Sequence, residues 1–99
     1  MKDSEFTIAA ATVIDKIFET VEDSDKEGQF DIDLNDSILT LINENGTYVI
    51  NKQKVLKEIW LSSPVSGPHH FAFQDSKWKA RNGVELFELL TKELGIKIG

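Results

Sequence analysis

Ser37-Ile38-Leu39-Thr40-Leu41-Ile42-Asn43, then Glu44-Asn45-Gly46, then Thr47-Tyr48-Val49-Ile50-Asn51: two β-rich runs flank an Asn-Gly pair. Both Asn and Gly tolerate positive φ, so the pair signals a hairpin and predicts that the two runs pair antiparallel. Upstream, Phe30, Ile32 and Leu34 alternate with Asp31 and Asp33, which reads as an edge-type strand with its carboxylates on one face. Downstream, residues 57–63 place Ile59 and Leu61 on one face and Glu58, Trp60 and Ser62 on the other. Pro64 and the pair Gly67-Pro68 punctuate a turn. Residues 69–74 then resume alternation, with Phe71 and Phe73 against His70, Ala72 and Gln74, and a short last strand is expected around Trp78 to Arg81.

Outside this block the period becomes helical. Over residues 5–22, Phe6, Ala10, Val13, Ile14, Ile17, Phe18 and Val21 recur at spacings of three and four, with Ser4 as the expected N-cap. Asp23 to Gly28 lacks periodic apolar residues and reads as a loop. At the other end, Asn82 and Glu85 have capping-box spacing with Asn82 as cap. Val84, Leu86, Phe87, Leu90 and Leu94 then form a second amphipathic helix closed by Gly95. Helix, five or six short-loop strands and helix predict an α+β, two-layer α–β sandwich, both helices packing on one face of an antiparallel sheet. The other face is left to solvent. By parity it carries Trp60, Glu58, His70 and Gln74, joined by Asn51 and Gln53.

The composition narrows the function classes. Ninety-nine residues, 40% of them hydrophobic, fit one domain over residues 1–99. With no cysteine there is no disulfide, no thiolate nucleophile and no self-held iron–sulfur cluster, so any metal must bind through oxygen or imidazole. A net charge of −6 argues against a nucleic-acid surface. No apolar stretch approaches the roughly 18–20 residues that span a bilayer, and no signal or transit segment is evident. The expectation is a soluble protein without membrane attachment.

The charge is unevenly distributed. Residues 1–36 hold eleven acids against three lysines, a net −8, and the remainder is +2. At about 100° per residue, Asp15, Glu19, Glu22 and Asp23 share the solvent face of the first helix. Such carboxylates suit hard cations, although Asp23-Ser24-Asp25-Lys26-Glu27-Gly28 does not follow the calcium-loop pattern. The alternative is a solvated helix face. Against it, Asp15–Glu19 and Glu19–Asp23 are like-charge pairs at i,i+4, each costing about 0.2–0.5 kcal/mol.

No catalytic residue is identified. His69 and His70 are adjacent, so on a strand they point to opposite faces and cannot chelate one ion together. Ser62, Ser63 and Ser66 lie nearby in no spacing that specifies a triad. Trp60 has two readings: a surface indole covered by a lysine stem, Lys52 or Lys79, or the anchor of a protein-binding patch among Asn51, Gln53 and His70.

The run Tyr48-Val49-Ile50-Asn51-Lys52-Gln53, then Ile59-Trp60-Leu61-Ser62-Ser63-Pro64, then Ser66-Gly67-Pro68 and Phe71, resembles the frataxin family across essentially the whole chain. The resemblance implies the α–β sandwich and a role in iron–sulfur cluster assembly. It implies weak binding of Fe2+ or Fe3+ and docking on the complex of cysteine desulfurase and cluster scaffold, as iron donor, sensor or regulator. It also places an iron-binding acidic ridge on Asp15, Glu19, Glu22, Asp23, Asp25, Glu27, Asp31 and Asp33, and a partner-binding patch on Asn51, Gln53 and Trp60.

Glu58 stands where Gln is usual and His70 where Arg is usual in eukaryotic members, so the partner footprint is expected to include both and to differ there. An imidazole metal site on His69 or His70 is a family option and is not part of the expected iron site. The expected protein is not an enzyme, with weak ferroxidase activity and a purely protein-binding regulator as the alternatives. It is expected to be monomeric, with iron-dependent oligomers as a family option. A chain starting at Met-Lys-Asp resembles the bacterial CyaY type, expected in the cytoplasm, more than a mature mitochondrial matrix form.

Overall fold

A computed structural model describes residues 1–99. Helix α1 (Asp3–Ser24) is followed by strands β1 (Asp31–Asn35), β2 (Ile38–Asn43), β3 (Gly46–Gln53), β4 (Glu58–Ser63), β5 (Gly67–Gln74) and β6 (Lys77–Lys79), then helix α2 (Leu86–Leu94). The six strands form one antiparallel sheet in sequence order, so every connection joins neighbours. Leu39, Ile50 and Leu61 stand abreast on one face, with Tyr48, Ile59, Phe71 and Trp78 beside them. Phe6, Ala10, Ile14, Ile17 and Val21 of α1 and Leu86 and Leu90 of α2 close over that face, forming one buried core. Trp78 seals one end, its indole edge-on to Phe6 at 6.0 Å and to Phe73 at 5.3 Å. The two-layer sandwich and the opposite parity of Ile59 and Trp60 are as the alternation implies.

Several local details differ from the sequence reading. In the β2–β3 hairpin Asn43 pairs with Gly46, so Glu44 and Asn45 make the turn. Gly46 itself has φ +129°, and a Cβ there would lie 2.9 Å from the Cβ of Pro64; glycine is needed for conformation and for space. Two further hairpins turn on Asp36-Ser37 and Asp75-Ser76, whose φ angles all lie between 52° and 64°. Aspartate can adopt this left-handed region, which suits two-residue hairpins, but neither dipeptide carries the usual glycine. Gly67 and Pro68 belong to β5, the preceding turn being Pro64–Ser66. The last strand is shorter than Trp78–Arg81 and begins at Lys77.

Both helix caps also shift. Helix α1 starts before Ser4, with the Lys2 N–H donating to Glu5 Oε1 at 3.1 Å. At α2 the cap is Glu85, whose carboxylate accepts from Phe87 N–H at 2.8 Å and Glu88 N–H at 3.1 Å. Asn82 accepts instead from Val84 N–H in the preceding turn. Gly95 ends α2 in the left-handed conformation, as its position implies. The tail then folds back to bury Ile98, whose N–H donates to Thr91 Oγ1 at 2.9 Å. No helix is long and apolar enough to cross a membrane.

Candidate functional site

The face of the sheet not covered by helices is ordered by register. One row across it runs Asn35, Ile38, Asn51, Trp60, His70, and the next runs Gln53, Glu58, Ala72, Lys79. The Trp60 indole stacks on the His70 ring at 4.3 Å with planes 12° apart, and its N–H donates to Glu58 Oε1 at 2.9 Å. The indole is thereby fixed from two sides, a stacked pair of this kind contributing about 0.5–1.5 kcal/mol beyond its buried area. Lys52 pairs with Ile59 and so lies on the helix side, which excludes it as the cover of Trp60. His70 takes that place. Gln53 Oε1 accepts from the Val55 N–H at 2.8 Å and the Leu56 N–H at 3.3 Å, so its side chain shapes the β3–β4 turn.

Asp31 and Asp33 pair with Ile42 and Thr40, which puts both on the same open face as Trp60, at its β1 edge. Asp15, Glu19, Glu22 and Asp23 are exposed on α1, which contacts β1. None of these six is in an ion pair, the two ion pairs of the molecule being Lys57–Asp3 and Lys79–Asp75. The last turn of α1 holds no basic residue, so Glu22 and Asp23 face the negative end of the helix dipole as well as each other.

Asp25 is different. Its Oδ1 accepts from Gln29 N–H at 2.6 Å and its Oδ2 from Phe30 N–H at 2.9 Å, so both oxygens hold the loop that leads into β1. Glu27 is exposed in that loop. No three carboxylates or imidazoles converge closely enough to enclose a metal ion. What the band offers is a set of separate, solvent-facing oxygen ligands.

A second polar constellation was invisible to spacing, because Glu93 lies 27 to 45 residues from the three hydroxyls it collects. Glu93 of α2 accepts from Tyr48 Oη at 3.0 Å, Ser63 Oγ at 2.6 Å and Ser66 Oγ at 2.5 Å. Ser63 Oγ in turn accepts from the N–H groups of Val65 and Ser66, each at 3.0 Å. Burial pushes the Glu93 carboxyl up, but these hydroxyls and the nearby His69 outweigh it and hold the group below the ordinary glutamate range. Burial first, and then Glu93, push the Tyr48 phenol up to about 12.

Ser66 Oγ also meets His69 Nε2 at 2.8 Å. A hydroxyl that gives its proton to a carboxylate is not one that a histidine is activating, so this is a structural knot rather than a nucleophile and its base. His69 and His70 point to opposite faces, as adjacent strand residues must.

Residues 1–99 match the frataxin-like domain family over their whole length. The mitochondrial frataxin homolog of Saccharomyces cerevisiae is 47% identical over 66 residues, a match that covers 65% of this chain and 38% of that relative. A crystal structure of trimeric yeast frataxin complexed with ferrous superposes with a TM-score of 0.81 at 36% identity, covering 87% of this chain and 81% of the other. Frataxin from Psychromonas ingrahamii, of the CyaY protein family, gives 0.81 at 34% identity, covering 99% and 96%. With the meander of six strands, the two helices on one face and the Trp60 row on the other, these matches establish that the chain belongs to the frataxin-like family.

Proposed function

We propose that this protein binds iron loosely and docks on the cysteine desulfurase–scaffold complex of iron–sulfur cluster assembly, as iron donor or sensor and regulator rather than as an enzyme. The observation that carries the reading is the band of six exposed carboxylates on α1 and β1 with no ion pair to neutralise it. Open oxygen ligands of this kind hold a hard divalent cation at about 10⁻⁶–10⁻⁴ M, weak enough to release it. Iron is cargo in this scheme. The same negative band steers approach to a basic surface, and the fixed Trp60 indole, with Asn51 beside it, supplies the buried anchor of the complex. The ferrous complex of the yeast trimer supports iron binding by the family and makes iron-dependent oligomers part of the proposal.

Calorimetric titration of Fe2+ under anaerobic conditions tests this reading. The expected result is weak binding that is lost in a variant carrying Asp15→Asn, Glu19→Gln, Glu22→Gln and Asp23→Asn, together with weaker binding to the desulfurase. Iron affinity untouched by those exchanges overturns it. A second reading, a regulator that works by protein contact alone, is favoured by the absence of any converging ligand set. It requires the desulfurase to bind equally well with and without iron.

A further inference from the structure

Two asparagines in the chain are followed by glycine, Asn45-Gly46 and Asn82-Gly83, and both are exposed. A glycine in that place has no side chain to shield its backbone nitrogen, which can therefore attack the carboxamide carbon of the preceding asparagine. The bond that forms joins the glycine N to the asparagine Cγ. The bond that breaks is Cγ–Nδ2, and the amide nitrogen leaves as ammonia, taking the proton of the glycine N–H. Water then opens the cyclic imide to aspartate or isoaspartate.

The fold treats the two steps differently. At Asn82 the carboxamide is engaged, its Oδ1 accepting from the Val84 N–H at 3.1 Å, and so is the attacking nitrogen, the Gly83 N–H donating to the Ala80 carbonyl at 2.9 Å. Ring closure there has to break both bonds. At Asn45 only the backbone is tied. Its N–H donates to Asn43 Oδ1 at 2.9 Å, and Gly46 pairs with Asn43 at the closing rung of the β2–β3 hairpin, where local opening is easiest. The exposed Asn45 carboxamide has no hydrogen-bond partner in the protein.

We propose that Asn45 is a deamidation site and that the charge it acquires acts on the Glu93 knot. Asn45 and Glu44 line a cleft of about 330 Å³ together with Glu93. A carboxylate at position 45 adds a third like charge to that cleft and favours the protonated form of Glu93, which its hydroxyl donors hold less well. The isoaspartate product does more, because it puts an extra methylene into the main chain at a two-residue turn. Gly46 stands so close to Pro64 that even a Cβ there would lie 2.9 Å from the Pro64 Cβ, so the turn has no slack to absorb the change. Pro64 lies between Ser63 and Ser66, both of which donate to Glu93. Slow hydrolysis at one turn thereby loosens the grip of the sheet on α2. The inference needs neither iron nor a partner.

The test is to hold the full chain in mildly alkaline buffer, folded or in urea, and to follow each asparagine by peptide mapping with mass spectrometry. The expected result is loss of Asn45 about fivefold faster than Asn82 in the folded chain, the factor that one further hydrogen bond of ordinary net strength supplies, and nearly equal loss of the two in urea. Equal loss at the two positions in the folded chain, or Asn82 reacting first, overturns the assignment of the site. Asn45→Asp is expected to lower the denaturant midpoint at neutral pH, and to lose most of that effect when made together with Glu93→Gln. A midpoint unchanged in Asn45→Asp, or the same drop with and without Glu93, overturns the link to the knot.

Discussion

Glu93 shows how much one side chain decides. It collects three hydroxyls from β3, β4 and the β4–β5 turn onto α2. Glu93→Gln keeps the shape but removes the charge those donors favour, so unfolding is expected to become easier by about 1–3 kcal/mol. In a spectrophotometric titration of that variant the Tyr48 phenol moves down from about 12 towards its usual 10. The pH dependence follows with opposite signs at the two ends. The Glu93 carboxyl is lowered by folding, so its stabilisation is full above the ordinary glutamate range and fades as pH falls below it. The Tyr48 phenol is raised, so its stabilisation is full below pH 10 and fades between 10 and about 12. Denaturant midpoints across these two windows check both signs. At Glu58, Gln retains an oxygen that can accept the Trp60 indole N–H, so Glu58→Gln is expected to leave Trp60 fluorescence unchanged, while Glu58→Ala shifts it.

Among the elements, α1 carries the clearest conflict between stability and the proposed use. Its like-charge pairs and its acidic last turn each cost a few tenths of a kcal/mol. The fourfold neutral variant should therefore melt higher than the natural chain, by about 1 kcal/mol of added stability at low salt. A lower melting temperature would make those acids structural. Strands β1, β4 and β5 were legible from period-two alternation, β2 and β3 from β-rich runs flanking Asn45-Gly46, and so was the open face, which parity alone assigns to Trp60. Turns and caps were less so. Asp36-Ser37 and Asp75-Ser76 take left-handed conformations without glycine, and Glu85 outcompetes Asn82 for the α2 cap because it lies directly before Leu86. In the acidic band, Asp15, Glu19, Glu22 and Asp23 were visible as one helical face, whereas the binding of two backbone N–H groups by Asp25 depends on how the loop folds. The Glu93 knot joins α2 to residues far away in sequence, and no local pattern announces it.

At the scale of the molecule, the net charge of −6 matters less than its separation into a net −8 over residues 1–36 and +2 beyond. A protein polarised in this way approaches a basic partner end-first, so its association rate with the desulfurase should fall steeply as salt rises, while Trp60→Ala should act mainly on dissociation. Stopped-flow association at several salt concentrations separates the two effects. The central claim is that the band on α1 and β1 holds iron while the Trp60 row holds the partner. An amide map of the labelled chain, recorded first with Fe2+ and then with the desulfurase added, tests it most directly. The account predicts Fe2+ broadening confined to the Asp15–Asp33 acids and their neighbours, followed by new shifts at Asn51, Trp60 and His70. Broadening centred on His69 and His70, or a desulfurase footprint that leaves α1 and the Trp60 row untouched, would contradict it.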